Sequence, residues 1–180
     1  SDLAGCGVDT WGVDFALVGR GDTLLGNPVH YRDQRTDGMM DAAFSRISRE
    51  RIYEITGLQF MPINSVYQLL AMKLAGNPIL DAAETFLMMP DVITWLMTGR
   101  RACETTDAST SQLVDPRTGQ WSDEICKALG LPRHIFPEFV APGERIGTML
   151  KSVAEETGIG NWDVPIFAPG SHDTASAVVG

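Results

Sequence analysis

The apolar residues near the start of the chain fall into short blocks separated by polar residues and glycines. Residues 4–8 form one block, and residues 13–18 alternate partly between apolar and polar, as a strand with one buried face does. The Gly-Arg-Gly-Asp run at 19–22 predicts a turn, and residues 29–31 predict a third short strand. We therefore expect the chain to begin with extended segments joined by turns.

Helical periodicity replaces this pattern after residue 37. Apolar residues at positions 40, 43, 44 and 47 lie on one face of a helix with 3.6 residues per turn. Ser48 is typical of a cap for a second helix that ends at Gly57, with Tyr53 among its inward-facing residues. Asn64 is expected to cap a third helix that ends before residue 76.

The second half of the chain continues as an alternation of strands and helices. Residues 86–89 predict a buried strand or core segment, and Pro90 begins a helix that ends at Gly99. The hydroxyl-rich run at 105–111 predicts a loop or a cap. Ser122 is expected to cap a further short helix.

The last thirty residues give the clearest pattern. Residues 151–157 predict a helix, residues 164–168 a strand, residues 169–173 a tight turn, and residues 174–179 a final helix. Strands near both ends with helices between them indicate an α/β domain.

Composition and charge narrow the possible functions. The 180 residues carry 14 basic and 23 acidic side chains, a net charge of −9, which argues against a generic nucleic-acid binder. The sequence has no apolar run of about 18 residues that would span a membrane, and its first residues do not resemble a secretion signal. The three cysteines have no metal-ligand spacing, so we expect them to be reduced and buried, in a cytoplasmic protein.

The strand–turn–helix at the end of the chain contains the first candidate for chemistry. Asp173 is predicted to lie at or beside a helix N-terminus, where free N–H groups favour a charged carboxylate. Beside His172 and Thr174, such a carboxylate is suited to accept a proton from a substrate hydroxyl. The alternative is that Asp173 only caps the helix, which is a common use of aspartate.

A second candidate follows the first predicted strand. Asp9, Thr10 and Trp11 would lie at the carboxyl end of that strand, where open α/β sheets bind ligands. Trp11 offers a flat apolar wall for a sugar, and Gly12 has no Cβ to keep a ligand from the backbone. The alternative is a hairpin whose glycine serves the turn and whose tryptophan fills the core.

The remaining polar features are less specific. The run at residues 31–37 is suited to a polyhydroxylated or anionic ligand, although a solvated loop with local ion pairs is the commoner structure. His30 and His134 have no partner at ligand spacing, so we expect no metal site.

Five blocks, in their order along the chain, resemble the FGGY carbohydrate kinases. The blocks are residues 7–15, 31–36, 57–69, 89–91 and 171–177. Asp-Thr-Trp-Gly-Val-Asp-Phe in the first block and Ser-His-Asp-Thr-Ala-Ser-Ala in the last are the specific motifs. The similarity extends from about residue 5 to residue 180.

The resemblance implies both a fold and an activity. The fold is part of the first domain of actin-like ATPases and sugar kinases (ribonuclease H-like), an α/β domain with a mixed sheet and flanking helices. The activity is transfer of a phosphate from ATP, with Mg²⁺, to the primary hydroxyl of a ketose, in the first place L-rhamnulose. L-Fuculose or another ketose is the alternative within the family, and a sugar-binding module without turnover is the alternative outside it.

The resemblance also assigns roles to individual residues. Asp173 matches the base that takes the proton from the sugar hydroxyl, and Gly12 matches a position whose backbone touches the sugar. The other residues assigned to the sugar pocket are His172, Thr174, Trp11 and Asn64.

Members of the family are much longer than this chain. They place a glycine-rich hairpin that binds phosphate and Mg²⁺ before the segment that begins here, and an adenosine-binding domain after it. We therefore expect residues 1–180 to form a single partial domain that carries most of the sugar pocket, with ATP and Mg²⁺ bound mainly by other parts of the protein.

Overall fold

The computed structural model describes residues 3–159 and 163–180. The strands in these residues are β1 (Phe15–Gly19), β2 (Thr23–Leu24), β3 (Thr85–Met88), β4 (Cys103–Glu104), β5 (Val114–Asp115), β6 (Gln120–Trp121), β7 (Phe139–Val140), β8 (Arg145–Thr148) and β9 (Pro165–Phe167). The helices are α1 (Met39–Phe44), α2 (Arg49–Thr56), α3 (Ser65–Leu74), α4 (Pro78–Ala82), α5 (Met89–Thr98), α6 (Thr105–Ser109), α7 (Asp123–Leu129), α8 (Lys151–Thr157) and α9 (Asp173–Val179).

The strands form small sheets with mixed pairing, and the predicted α/β class is confirmed. β1 lies between β2 and β3, antiparallel to both, with Phe15 opposite Met88 and Val18 opposite Thr85. Every residue of β1 and β3 is buried, because helices cover this sheet. β4 pairs with β7 in parallel, while β5–β6 and β8–β9 are antiparallel pairs.

The first predicted strand is only partly correct. The backbone near residues 4–8 makes one parallel bridge, between Cys6 and Ile166 of β9, and a second bridge joins Thr10 to His172. The predicted strand at 29–31 is wrong: these residues have no ladder partner among the residues that the structure describes, and the strand after the first turn is β2. β2 pairs with β1 directly across the turn, so the hairpin is complete before residue 29 is reached.

Most of the predicted helices are confirmed together with their ends. The Ser48 hydroxyl accepts the Arg51 N–H at the start of α2, and Gly57 ends that helix in the left-handed conformation. Ser122 caps α7 in the same way. The prediction that Tyr53 faces inward is wrong, since this residue is 56% exposed.

Two further expectations are corrected by the structure. The run at 105–111, predicted to be a loop or a cap, contains helix α6, and the carboxylate of Glu104 caps its N-terminus. Cys103 and Cys126 are buried free cysteines as expected, whereas Cys6 is only partly buried. No helix among the described residues is long and apolar enough to cross a membrane.

Candidate functional site

Two segments from opposite ends of the chain meet beside β9. The Thr10 N–H donates to the Ser171 carbonyl at 2.9 Å, and the Asp173 N–H donates to the Thr10 carbonyl at 2.8 Å. We call residues 9–12 the early segment and residues 171–174 the base segment. These two hydrogen bonds bring Trp11 and Gly12 next to the predicted base, although residue 171 follows residue 12 by 159 positions in the sequence.

Asp173 is the first residue of α9, and its side chain is 56% exposed. Its Oδ1 accepts a hydrogen bond from the Thr174 hydroxyl at 3.2 Å and lies 3.5 Å from Nε2 of His172. His172, not Asp173, occupies the N-cap position, and its side chain makes no capping bond. The carboxylate is therefore accessible and oriented by its two neighbours, and the alternative that it only caps the helix is not supported.

Trp11 presents a fixed aromatic ring to solvent. The side chain is 45% exposed, and its Nε1–H donates to Oδ2 of Asp14 at 2.9 Å. Burial raises the pKa of Asp14, and the bond from Trp11 opposes part of that rise. The Trp11 ring is thus held from its polar edge, which leaves apolar surface available to a ligand.

The glycine of the early segment is required by packing. A Cβ on Gly12 would lie 2.7 Å from Cγ2 of Thr110 and 2.9 Å from its Oγ1. Val13 follows with φ of 70°, an unusual backbone conformation for a β-branched residue. Three side chains hold that conformation: the Thr110 hydroxyl accepts the Val13 N–H, and Ser65 and Gln68 donate to the Val13 carbonyl. Strained backbone held in this way is often found at functional sites.

Gly12→Ala is expected to lower stability by about 1–3 kcal/mol, the usual cost of overpacking. Thr110 cannot simply move away, because its hydroxyl bonds both the Val13 N–H and the Asp107 carbonyl. Urea unfolding of the two proteins measures the difference. Gly147→Ala is the matched control, since a Cβ there would make ordinary contacts at 3.5–3.6 Å. Equal stability losses in the two variants would contradict this explanation of the glycine.

Asn64 lies at the N-cap position of α3 as predicted, but its side chain does not cap the helix. The residue is fully buried. Its Oδ1 accepts the Met61 N–H at 2.9 Å, and its Nδ2 donates to the Thr110 carbonyl at 2.8 Å. Both ends of the amide therefore have partners within the protein, and direct contact between Asn64 and a ligand stays a prediction.

Helix α6 connects the two segments, and the sequence analysis missed its role. At its C-terminal end Thr110 binds the backbone of the early segment. At its N-terminal end Glu104 and Thr106 accept the backbone N–H groups of Ser171 and His172. The available signal is the density of hydroxyl and carboxylate side chains at 104–111, of which residues 105–111 predict a loop or a cap.

The polar run at 31–37 lies close to the same site. Nη2 of Arg35 donates to Oε1 of Gln68 at 2.5 Å, and the charges of His30 and Arg35 oppose the rise in the pKa of Asp14. The ring of Tyr31 stacks on that of His30 at 4.3 Å between centroids. The run packs against the residue that holds Trp11, and its contact with a ligand remains a prediction.

Buried carboxyl groups surround α6. Burial raises the pKa of Asp91 to about 7, although its Oδ1 accepts the Glu104 N–H. Burial, reinforced by the charges of Asp91, Glu104 and Asp173, raises the pKa of Asp107 to about 9. Asp107 is fully buried, and neither of its oxygens has a hydrogen-bond partner within the described residues. It is therefore neutral at pH 7.

The described residues do not fit a metal ion. Among residues 3–159 and 163–180, no group of three or more histidine, cysteine or acidic side chains is arranged to hold one. Near α6, the carboxylate of Glu104 accepts protein donors, and Asp107 is buried with neither oxygen partnered within the described residues. We therefore assign no metal ion to the described residues.

A surface groove of about 650 Å³ contains no residue of the early segment or the base segment in its lining. Its lining residues are Arg49, Glu50, Tyr53, Gly57, Gln59 and Phe60. The guanidinium of Arg49 stacks over the Phe60 ring, with its carbon 4.7 Å from the ring centroid. We therefore place the candidate site around Asp173, where several polar groups converge, and not in this groove.

Comparisons with known proteins show the family to which the chain belongs. Residues 1–180 match the N-terminal domain of the FGGY family of carbohydrate kinases. The chain is 45% identical to a rhamnulokinase of Bacteroides thetaiotaomicron over 98% of the present chain. It is 42% identical to one of Oceanobacillus iheyensis over 96% of the present chain. It spans 36% of each of these relatives.

A solved structure gives the fold independently. A carbohydrate kinase from Novosphingobium aromaticivorans superposes with a TM-score of 0.84 at 25% identity, covering 99% of this chain and 38% of that one. The predicted fold, that of sugar kinases with the actin-like ATPase architecture, is confirmed.

Proposed function

Because the chain belongs to the FGGY family of carbohydrate kinases, we propose that the full-length protein transfers the γ-phosphate of ATP to the primary hydroxyl of a ketose. The observation that carries the proposal is the position of Asp173. Its exposed carboxylate is oriented by Thr174 and His172 and lies beside the early segment with Trp11 and Gly12. A carboxylate next to an aromatic wall and hydroxyl-binding side chains suits a sugar whose hydroxyl is to be deprotonated.

In the proposed reaction Asp173 acts as the general base. Its carboxylate takes the proton of the primary hydroxyl while that oxygen forms a bond to the γ-phosphorus and the bond from phosphorus to the ADP oxygen breaks. ATP with Mg²⁺ supplies an electrophilic phosphoryl group when bound. The described residues supply the acceptor side: they orient the sugar and remove its proton.

The proposed sugar contacts follow from the same geometry. The Trp11 ring is suited to the less polar face of the sugar, and His172 and Thr174 carry groups that bond hydroxyls on either side of the base. The backbone of Gly12 completes this side of the pocket. Residues 1–180 match a first domain. We propose that the remainder of the full-length protein binds the nucleotide.

L-Rhamnulose is the proposed substrate, with L-rhamnulose 1-phosphate as the product. The support is the identity of 37–45% with eight relatives, each described as a rhamnulokinase. We also propose that the enzyme is cytoplasmic, because the reaction consumes ATP.

A panel of ketoses tests the substrate. With a full-length kinase that carries this domain, we expect ATP-dependent phosphorylation with a higher kcat/KM for L-rhamnulose than for L-fuculose or D-xylulose. A coupled assay of ADP release measures the three values, and omission of sugar controls for ATP hydrolysis. Preference for another ketose would remove L-rhamnulose as substrate, and sugar binding without ADP release would favour a binding module.

A further inference from the structure

We infer that Glu104 and Thr106 are positioning residues for the base segment, an inference that rests on the proposed kinase function. Glu104 is fully buried, and its carboxylate accepts five hydrogen bonds. All five partners are donors, which is the environment of an ionised carboxylate. Four of the donors belong to the start of α6, and the fifth is the Ser171 N–H.

The bond to Ser171 is the one that a helix cap does not need. Oε2 of Glu104 accepts the Ser171 N–H at 2.9 Å, from a residue 67 positions later in the chain. The Thr106 hydroxyl donates to that same oxygen and accepts the His172 N–H at 3.2 Å. A carboxylate that served only α6 would require just the N–H groups of Thr106 and Asp107.

Three successive N–H groups of the base segment are therefore held by three different acceptors. Ser171 donates to Glu104, His172 to Thr106, and Asp173 to the carbonyl of Thr10. The peptide planes that lead into Asp173 are thus fixed, and with them the direction in which its side chain leaves the backbone. A base fixed in this way needs little reorganisation when the substrate is bound.

The other end of α6 fixes the sugar side of the site. The Thr110 hydroxyl accepts the Val13 N–H at 2.9 Å, and its side chain packs where a Cβ of Gly12 would be. One short helix therefore sets the separation between the base segment and the early segment. Since a misplacement of about 1 Å can lower a rate about 100-fold, the bonds at the N-terminal end of α6 should affect turnover.

A pair of Thr106 variants tests the inference in a full-length kinase that carries this domain. Thr106→Val keeps the side-chain shape and removes the hydroxyl, whereas Thr106→Ser keeps the hydroxyl. We expect Thr106→Val to lower kcat roughly 10–100-fold with the KM for ATP unchanged, and Thr106→Ser to retain most of the turnover. Ser109→Ala is the control on the same helix, because within the described part of the chain its hydroxyl bonds only the Thr106 carbonyl.

A second variant reports on the carboxylate itself. Glu104→Gln places an amide N–H₂ group where one carboxylate oxygen now accepts, so at least one of the backbone N–H groups of Thr106, Asp107 and Ser171 loses its acceptor. We expect the same loss in kcat, measured per folded molecule after correction for the folded fraction. A purely structural role would lower the melting temperature and the folded fraction while leaving this corrected kcat unchanged.

The outcomes separate the inference from the proposed function. A lower kcat for Thr106→Val and Glu104→Gln, beside an active Thr106→Ser enzyme and an inactive Asp173→Asn enzyme, supports both. Equal kcat in all the Thr106 and Glu104 variants, with Asp173→Asn inactive, would overturn the positioning role and leave the kinase proposal standing. Normal turnover in Asp173→Asn would remove the proposed base and the inference together.

Discussion

Asp173→Asn in a full-length kinase that carries this domain is expected to lower kcat by roughly 10²–10⁴-fold, the usual contribution of general-base catalysis. Asparagine has nearly the same shape, and its Oδ1 can still accept the Thr174 hydroxyl that bonds Asp173 now. What the variant lacks is a group that takes a proton at neutral pH. Sugar binding should therefore persist while turnover is lost.

The measurement has a closely matched control. Asp123 is the first residue of α7, as Asp173 is of α9, and its side chain is 83% exposed. Asp123→Asn removes the same charge from the same helical position and should leave kcat unchanged. Calorimetry with the ketose and steady-state kinetics on both variants give the comparison. Turnover near the wild-type value in Asp173→Asn would refute its assignment as the base.

Asp107→Asn is expected to stabilise the folded domain by several kcal/mol above neutral pH, because folding then requires Asp107, but not an asparagine, to take up a proton. Asp107 is fully buried beside Glu104 and Asp91, and both of its oxygens lack hydrogen-bond partners within the described part of the chain. An asparagine carries no charge at any pH and can donate its N–H₂ group toward the neighbouring carboxylates.

The raised pKa of Asp107 determines how the stability of the folded domain changes with pH. An unfolded aspartate has a pKa of about 3.9, whereas burial raises the pKa of Asp107 to about 9 in the folded chain. Between these values the folded state binds more protons, so stability falls as pH rises, by up to about 1.4 kcal/mol per pH unit. Asp91, with its pKa raised to about 7, adds the same trend below neutral pH.

Urea unfolding at about pH 5 and about pH 8.5, followed by tryptophan fluorescence, measures this dependence. The gain from Asp107→Asn should be small at the lower pH and large at the higher one. Asp81→Asn, an exposed aspartate in α4, is the control for a change of charge alone. A wild-type protein as stable at the higher pH as at the lower, or a gain equal at both, would contradict a neutral buried Asp107.

The elements that the sequence predicted correctly are those determined by local interactions. Ser48 and Gly57 define the ends of α2 through bonds made within a few residues, and the short apolar blocks of β1 and β3 bury every side chain. These signals depend on cap chemistry and burial, which are visible in a short window of sequence.

The failures come from contacts made far along the chain. Residues 29–31 have a strand-like composition, but β1 already has partners on both edges. Helix α6 has only five residues, and its cap is a glutamate that also binds Ser171, 67 positions away. Neither its helical form nor its role follows from local propensity.

The candidate site was predictable to a similar extent. Asp173 followed from the strand–turn–helix pattern, because that pattern places a side chain at a helix start. Gly12 was selected for access to a ligand, whereas the structure accounts for it by contact with Thr110. Glu104 and Asp107 were not selected, since their importance depends on burial and on partners that a sequence does not display.

The most direct measurement is a crystal structure of a full-length kinase carrying this domain, with the ketose and a non-hydrolysable ATP analogue bound. We predict that a carboxylate oxygen of Asp173 lies about 2.6–3.2 Å from the sugar's primary hydroxyl, or one water molecule away. A sugar whose reactive hydroxyl lies beyond that reach, or faces another carboxylate, would contradict the central claim.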